Sequence, residues 1–234
     1  MFPMALSTIA IIPDGNRRFA QKHSLPLAKA YLKGFEKVDE VVEWAGEFKL
    51  RELTFWALSL ENFRKRSRLE IEILFQLMSK NVSSALSSRK LSDSGASVSF
   101  FGRTELLPAA LQQQARELEE ETAGRGGLKL NIAIAYSGQD ELVNASRRVA
   151  EDVASGVILP RQVDAALFSK YLFYSQSPDL IIRTGDVQRL SGFMPFQSAY
   201  SEFYFSPKLW PEFSREDFAA AVDYYDGTQR RFGK

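Results

Sequence analysis

"IAIIPDGNRRFAQK", Ile9 to Lys22, begins as an apolar run, stops at a proline and passes into a polar segment crowded with arginine. An apolar run without alternation is the pattern of a strand covered on both faces, as in a parallel sheet held between helix layers. The same pattern returns in "ELTFWALS", "SVSFFG", "LKLNIAIAY", "DLIIRT" and "SEFYF". Between these runs the apolar residues change period. Phe35, Val38, Val42 and Ala45 recur at helical spacing, as do Ile73, Leu77, Met78, Val82, Ala85 and Leu86. "LPAALQQQARELEEET", "QDELVNASRRVAEDVA" and "SREDFAAAVDYYDGTQRRF" read as further helices. Alternating strands and helices predict an α/β fold with a central, mostly parallel six-stranded sheet and helices on both faces. No repeat or composition shift marks a linker, so residues 1–234 read as a single domain.

Bulk properties narrow the chemistry. A chain of 234 residues with 45% hydrophobic content can bury a sizeable core. Thirty Lys and Arg against 29 Asp and Glu leave a net charge of +1, so no global field favours nucleic acid and none is expected as a partner. The chain has no cysteine, which excludes disulfides, thiolate metal sites and a cysteine nucleophile, and accords with a cytoplasmic location. The single histidine, His23, excludes zinc motifs that need two. The segment "MFPMALSTIAIIPDGN" is too interrupted for a signal peptide, and no apolar run approaches the roughly 18 residues of a spanning helix.

Any anion site must therefore be local. In open parallel sheets, ligands bind beyond the carboxyl ends of the strands. Asp14, Gly15, Asn16, Arg17 and Arg18 follow the first strand there, and a helix starting near Asn16 would aim unpartnered N–H groups at the crevice. A lone carboxylate among phosphate binders points to Mg²⁺ between the two charges. A capping Asp, a turn Gly and exposed arginines account for the same residues. "FWALSLENFRKRS" carries Ser59, Glu61 and Asn62 beyond the next buried run, followed by Arg64, Lys65 and Arg66; a capped helix with a basic loop is the plainer reading. In "DLIIRTGDVQRLSGFMPFQSAYSEFYF", Arg183, Arg189 and Ser191 suit a phosphate cradle. Glu202 opens an apolar strand where a buried carboxylate needs a metal or an arginine.

Taken in order, "IIPDGNRRFA", "FWALSLENF", "LNIAIAYSGQDELVNA", "PDLIIRTGDVQRLSGFMPFQSAYSEFYFSPKLWPEF" and "RRFG" resemble the cis-prenyltransferase family of the undecaprenyl diphosphate synthase type. The resemblance runs from Ile9 to Gly233. It implies a Mg²⁺-dependent homodimer that joins isopentenyl diphosphate to an allylic prenyl diphosphate, with a hydrophobic tunnel flanked by helices from about Tyr31 to Phe48 and Arg68 to Lys90. By position, it makes Asp14 the metal-handling aspartate and Glu202 a second metal-site acid. Gly15, Asn16, Arg17, Arg18 and Phe19 match the allylic diphosphate cradle. Ser59, Leu60, Glu61, Asn62, Phe63 and Lys65 match groups near the reacting carbons, with Asn62 in the place often assigned to proton removal. Arg183, Arg189, Leu190 and Ser191 match the isopentenyl diphosphate site, and Arg231 and Gly233 a C-terminal motif that reaches the partner's site. An apolar product implies transient contact with a membrane.

The chain departs from the family pattern after the cradle. "LPLAKAYLKGFEKV" puts Leu27 and Tyr31 where an arginine and a histidine are usual, leaving Tyr31 as the substrate-side group. Phe63 stands for a common tryptophan and Lys65 for a common arginine. Substrate choice is what these changes touch: a different primer, or an irregular join of two allylic diphosphates. A non-catalytic partner subunit would be expected to lack the aspartate of the first motif, which this chain keeps as Asp14.

Overall fold

The computed structural model of the protein describes residues 6–87 and 95–228. Strands β1 (Thr8–Ile12), β2 (Glu52–Ser59), β3 (Ser97–Gly102), β4 (Lys129–Tyr136), β5 (Leu180–Arg183) and β6 (Glu202–Phe205) form one sheet in the order β3-β4-β2-β1-β5-β6. Every neighbouring pair is parallel, stricter than the mixed sheet the sequence allowed. The connections make this possible, since each is long enough for a crossover.

The described helices are α1 (Asn16–Lys22), α2 (Leu27–Glu47), α3 (Leu60–Lys65), α4 (Arg68–Ser87), α5 (Ala109–Thr122), α6 (Gly138–Ala154), α7 (Ala165–Ser169) and α8 (Arg215–Gly227). Helix α2 starts four residues before the expected Tyr31, because Pro26 supplies a preset φ of −55° at its entrance. The end expected for α4, at Lys90, lies outside the described residues.

The sheet is packed on both faces. On one, Ile9, Ile11, Leu53 and Phe55 meet Val41, Trp44 and Ala45 of α2 and Phe218 of α8. Further along that face, Leu58, Val98 and Ile134 meet α4 and α5. On the other face, Trp56, Phe101 and Tyr136 pack against the buried Phe193 and Met194 of the long β5–β6 connection. Strand β6 differs: all four of its residues are half-exposed, so it is an edge strand and not a fully covered one.

Candidate active site

Strands β2 to β4 lie on one side of β1, and β5 and β6 on the other. The crevice above β1 and β5 is therefore the switch point of the topology, where open parallel sheets take their ligands. Ile12 pairs with Arg183 at its floor, and Asp14 stands above it.

Backbone geometry fixes Asp14. Its carbonyl accepts from Trp210 N at 3.0 Å and from Thr184 Oγ1 at 2.8 Å. Gly15 follows at φ 118°, and a Cβ there would lie 3.0 Å from Leu209, so only glycine fits. The side chain of Asp14 caps nothing: α1 has no side-chain cap, and the carboxylate turns to two guanidinium groups instead. Arg183 Nη2 donates to Oδ2 at 2.9 Å, and Arg18 Nη2 lies 3.2 Å from Oδ1.

Arg183 is buried and held from three sides. Nη1 donates to Ser191 Oγ at 2.8 Å and to the Arg189 carbonyl, while Nε is buried without an acceptor. The loop that supplies these acceptors is contorted, with Asp186, Ser191 and Met194 all at positive φ. Phe193 anchors it by stacking on Trp56 with ring centroids 4.9 Å apart. Arg18 in turn donates to the Gly185 carbonyl, and its Nη2 sits 2.4 Å from where a Cβ of Gly185 would be. The glycine thus makes room for the guanidinium.

The end of β2 brings a second group of residues to the same crevice. Its pairing with β4 slips between Trp56 and Leu58 and again between Leu58 and Ser59, a device common beside functional sites. Ser59 then caps α3, its Oγ accepting from Asn62 N at 3.0 Å. Glu61 and Asn62 line the crevice, as do five arginines: Arg17, Arg18, Arg66, Arg183 and Arg189. Such a cationic mouth suits phosphoryl oxygens.

Below the mouth the crevice opens into a cavity of about 1360 Å³, walled by Phe35, Val38 and Val42 of α2, Leu74 and Met78 of α4, and Ala57 of β2. That exceeds the roughly 300–1,000 Å³ of ordinary small-ligand pockets. The wall along α2 from Tyr31 to Gly46 is roughly 22 Å long at about 1.5 Å per residue. Long, with apolar walls, cationic at one end and lined also by Asp39, Glu43 and Glu47 along α2, the space fits an amphiphile with an anionic head.

Asp14, Gly15, Asn16, Arg17, Arg18, Tyr31, Ser59, Glu61, Asn62, Arg183, Arg189 and Ser191, all expected from the sequence, line this one cavity. Others do not reach it. Phe19 is buried under α1 with Ala20 and Ala30, and Leu60 is core. Phe63 packs on Phe75, and Leu190 on the other face of the sheet. Lys65 ends α3 on its exposed side, whereas Arg66 leaves the helix in an extended conformation and turns inward; the spacing had favoured the wrong neighbour. Tyr31 lines the cavity, but its hydroxyl is engaged by protein groups. Glu202 pairs with Leu180 at the far end of β5, roughly 10 Å down the sheet from the Arg183 level. It is half-exposed, so no burial cost calls for a metal, and within one chain it is remote from Asp14. Arg231 and Gly233 lie outside the described residues.

Sequence reasoning also missed partners of the site. Gly34 admits Asn16, whose Oδ1 lies 2.4 Å from where a Gly34 Cβ would be, and Trp210 Nε1 donates to the Gly34 carbonyl at 2.8 Å. Glu70 holds Arg66, and their four-residue spacing was the available signal.

Among the described residues no group of three acids or histidines could hold a metal ion. The donor set nevertheless fits Mg²⁺, which commonly takes one or two carboxylates and completes its shell with substrate phosphates and water. Asp14 offers such a carboxylate, half-buried at the mouth and among arginines that a diphosphate would engage.

Comparison with known proteins converges. Residues 12–233 match the family model described as "Putative undecaprenyl diphosphate synthase". A tritrans,polycis-undecaprenyl-diphosphate synthase (geranylgeranyl-diphosphate specific) from Thermoplasma acidophilum is 41% identical over 228 residues, 97% of this chain and 88% of the relative. The enzyme of the same description from Methanocaldococcus jannaschii is 40% identical over 230 residues, covering 97% and 82%. Among solved structures, lavandulyl diphosphate synthase from Lavandula x intermedia, in complex with dimethylallyl diphosphate, superposes with a TM-score of 0.90 at 31% identity, covering 97% of each chain.

Proposed function

The chain belongs to the undecaprenyl diphosphate synthase family and is a cis-prenyltransferase, and from that premise we propose that it condenses isopentenyl diphosphate with an allylic prenyl diphosphate, making cis double bonds and releasing diphosphate. The observation that carries this reading is Asp14 held between Arg18 and Arg183 at the mouth of a long apolar cavity. Geranylgeranyl diphosphate is the proposed primer, supported by the specificity in the names of the archaeal relatives.

The roles follow from charge and position. Asn16, Arg17 and Arg18 hold the allylic diphosphate, and their cationic groups offset the charge that grows on it as it leaves. Arg183, Arg189 and Ser191 hold isopentenyl diphosphate, aiming its double bond at the allylic C1. Each charge-assisted hydrogen bond contributes about 1.5–3 kcal/mol. Asp14 would hold Mg²⁺, which would supply Lewis-acid stabilisation of the departing diphosphate. Asn62 is neutral and a poor base, so it orients the adduct while a phosphate oxygen takes the proton. Asn62→Ala is expected to leave substrate binding near normal and slow turnover; unchanged turnover would remove Asn62 from the mechanism.

The homodimer and the membrane contact belong to the same proposal. The edge strand β6 and the exposed Tyr200 offer a surface for a second copy. A cytoplasmic enzyme that touches the membrane is the proposed setting, because a growing prenyl chain partitions into lipid. A second reading, the irregular join of two allylic diphosphates, draws support from the likeness to lavandulyl diphosphate synthase. Product mass and double-bond geometry from dimethylallyl, geranyl, farnesyl and geranylgeranyl primers, each with and without isopentenyl diphosphate, separate the two. Elongated cis products formed only with isopentenyl diphosphate support the first reading, and products from allylic diphosphates alone support the second.

A further inference from the structure

At the neck between mouth and cavity, three charged or polar groups from three segments meet. Tyr31 of α2 is buried, and its hydroxyl donates to Glu70 Oε1 of α4 at 2.5 Å. The same oxygen of Tyr31 accepts from Arg66 Nη1 at 3.0 Å. Arg66 Nε lies 3.3 Å from the same Glu70 oxygen, and the guanidinium carbon stands 5.7 Å from the centre of the Tyr31 ring. The phenol thus uses its one proton and one lone pair to join an anion to a cation.

We propose that Tyr31 is a positioning residue: with Glu70 it fixes the Arg66 guanidinium at the cavity neck, so that Arg66 presents its Nη2 to a substrate phosphate. Nη1 donates to the clasp and Nε lies in the ion pair with Glu70, buried and without a hydrogen bond, while Nη2 has no acceptor among the described residues and is not among the buried unpartnered atoms. Arg66 lines the same cavity as Arg17 and Asn62. A guanidinium anchored through Nη1 and paired with Glu70 keeps Nη2 oriented toward an incoming oxyanion, which a free side chain would have to order on binding.

A tyrosine suits this task. Burial, reinforced by the Glu70 carboxylate, pushes its hydroxyl well above the ordinary phenol range, with Arg66 and Arg17 opposing. It therefore donates at every working pH without adding charge beside the phosphate. An imidazole in its place would change charge near neutrality. The clasp also ties α2 to the start of α4, the two helices that flank the cavity, so the neck width and the orientation of Arg66 are set together.

This inference rests on the diphosphate-binding role proposed above, and its test reads binding separately from turnover. Calorimetric titration with inorganic pyrophosphate is expected to show Tyr31→Phe binding about tenfold more weakly than wild type, with the melting temperature nearly kept. Arg66→Lys, which keeps the charge and loses the fork, is expected to match or exceed that loss. The double variant Tyr31→Phe with Arg66→Lys is expected to bind no more weakly than Arg66→Lys alone, because Tyr31 acts through Arg66. In turnover, Tyr31→Phe is expected to raise KM for one diphosphate substrate about tenfold while kcat changes less than threefold. Additive losses, or Tyr31→Phe binding as tightly as wild type, would overturn the clasp and leave the proposed reaction standing. Wild type that binds no pyrophosphate would overturn both.

Discussion

The mouth and the body of the cavity are built by opposite rules. At the mouth, the Asp14 carboxylate and its two guanidinium groups have named partners, with Arg183 Nε and Asn16 Oδ1 left buried and unpartnered, and glycines stand where any side chain would collide. Asp14 meets Arg18 and Arg183, and Gly15, Gly34 and Gly185 clear space around them. In the body, Phe35, Val42, Leu74 and Met78 share only their apolar character. Dispersion and water exclusion act there without direction, so shape can vary where charge geometry cannot. The difference teaches where chemistry and product length are decided: the mouth sets the rate, and the body sets how much chain the rate can extend.

Substitutions at the mouth should therefore change rate and spare product length. The largest effect is expected from Asp14→Asn, which keeps the size and removes the charge. We expect kcat to fall about 10³-fold, the loss typical of a key electrostatic group, with the residual products unchanged in mass. Shortened products from this variant would break the comparison. Gly34→Ala comes next. Its Cβ would press on Asn16 Oδ1, and misplacing a substrate-binding group by about 1 Å can cost roughly 10²-fold in kcat/KM. Helix propensity favours alanine by about 1 kcal/mol at an interior position, so a melting temperature close to wild type with poor activity would assign the loss to the mouth.

The body should answer in the other direction. Ala57→Phe adds bulk to the wall on β2, and mass spectrometry is expected to show shorter products while the first condensation slows no more than a few-fold. Normal product length would mean that the chain bypasses this wall. The smallest effect lies on the opposite face of the sheet. Burial holds the Glu52 carboxyl above its usual range, despite Lys129, and Oε1 accepts from Asn131 Nδ2 at 2.9 Å. A raised folded-state value means stability that is complete below the ordinary glutamate range and declines as pH rises through the folded value. Relative to Glu52→Gln, wild type should lose a few degrees of melting temperature between about pH 4 and neutrality, with product length and rate indifferent to the change.

The mouth was legible in the sequence because its polar residues interrupt apolar runs at strand ends, where a buried sheet has no use for them. The six strands were legible for the same reason. What escaped was fine direction. Lys65 and Arg66 are neighbours, and only the extended backbone at Arg66, φ −74° and ψ 154°, swings the second inward. Glu202 read as a site acid because the apolar strand around it implied burial, whereas β6 is an edge. The body was legible only through the family resemblance, which set a tunnel between the helices that became α2 and α4; residue spacing alone does not reveal it. Val41 is buried against β1 and α8, and Val42, one residue on, lines a void. Both present the same helical spacing, so periodicity cannot separate a wall from a core.

The placement of β1 at the centre of the sheet has a consequence for biosynthesis. Arg183 Nη2 reaches Asp14 across 169 positions, and Trp210 N must arrive before the Asp14 carbonyl is satisfied. As the chain leaves the ribosome, β1 can dock on β2 early, but its other edge stays open until β5 has been made. For most of synthesis the future catalyst is thus a sheet with a bare central edge, the situation in which nascent chains need protection from one another. Long-range pairing of this kind also folds slowly. Activity should accordingly appear all at once and late, with fragments ending before Trp210 inert however faithfully their first motif is written.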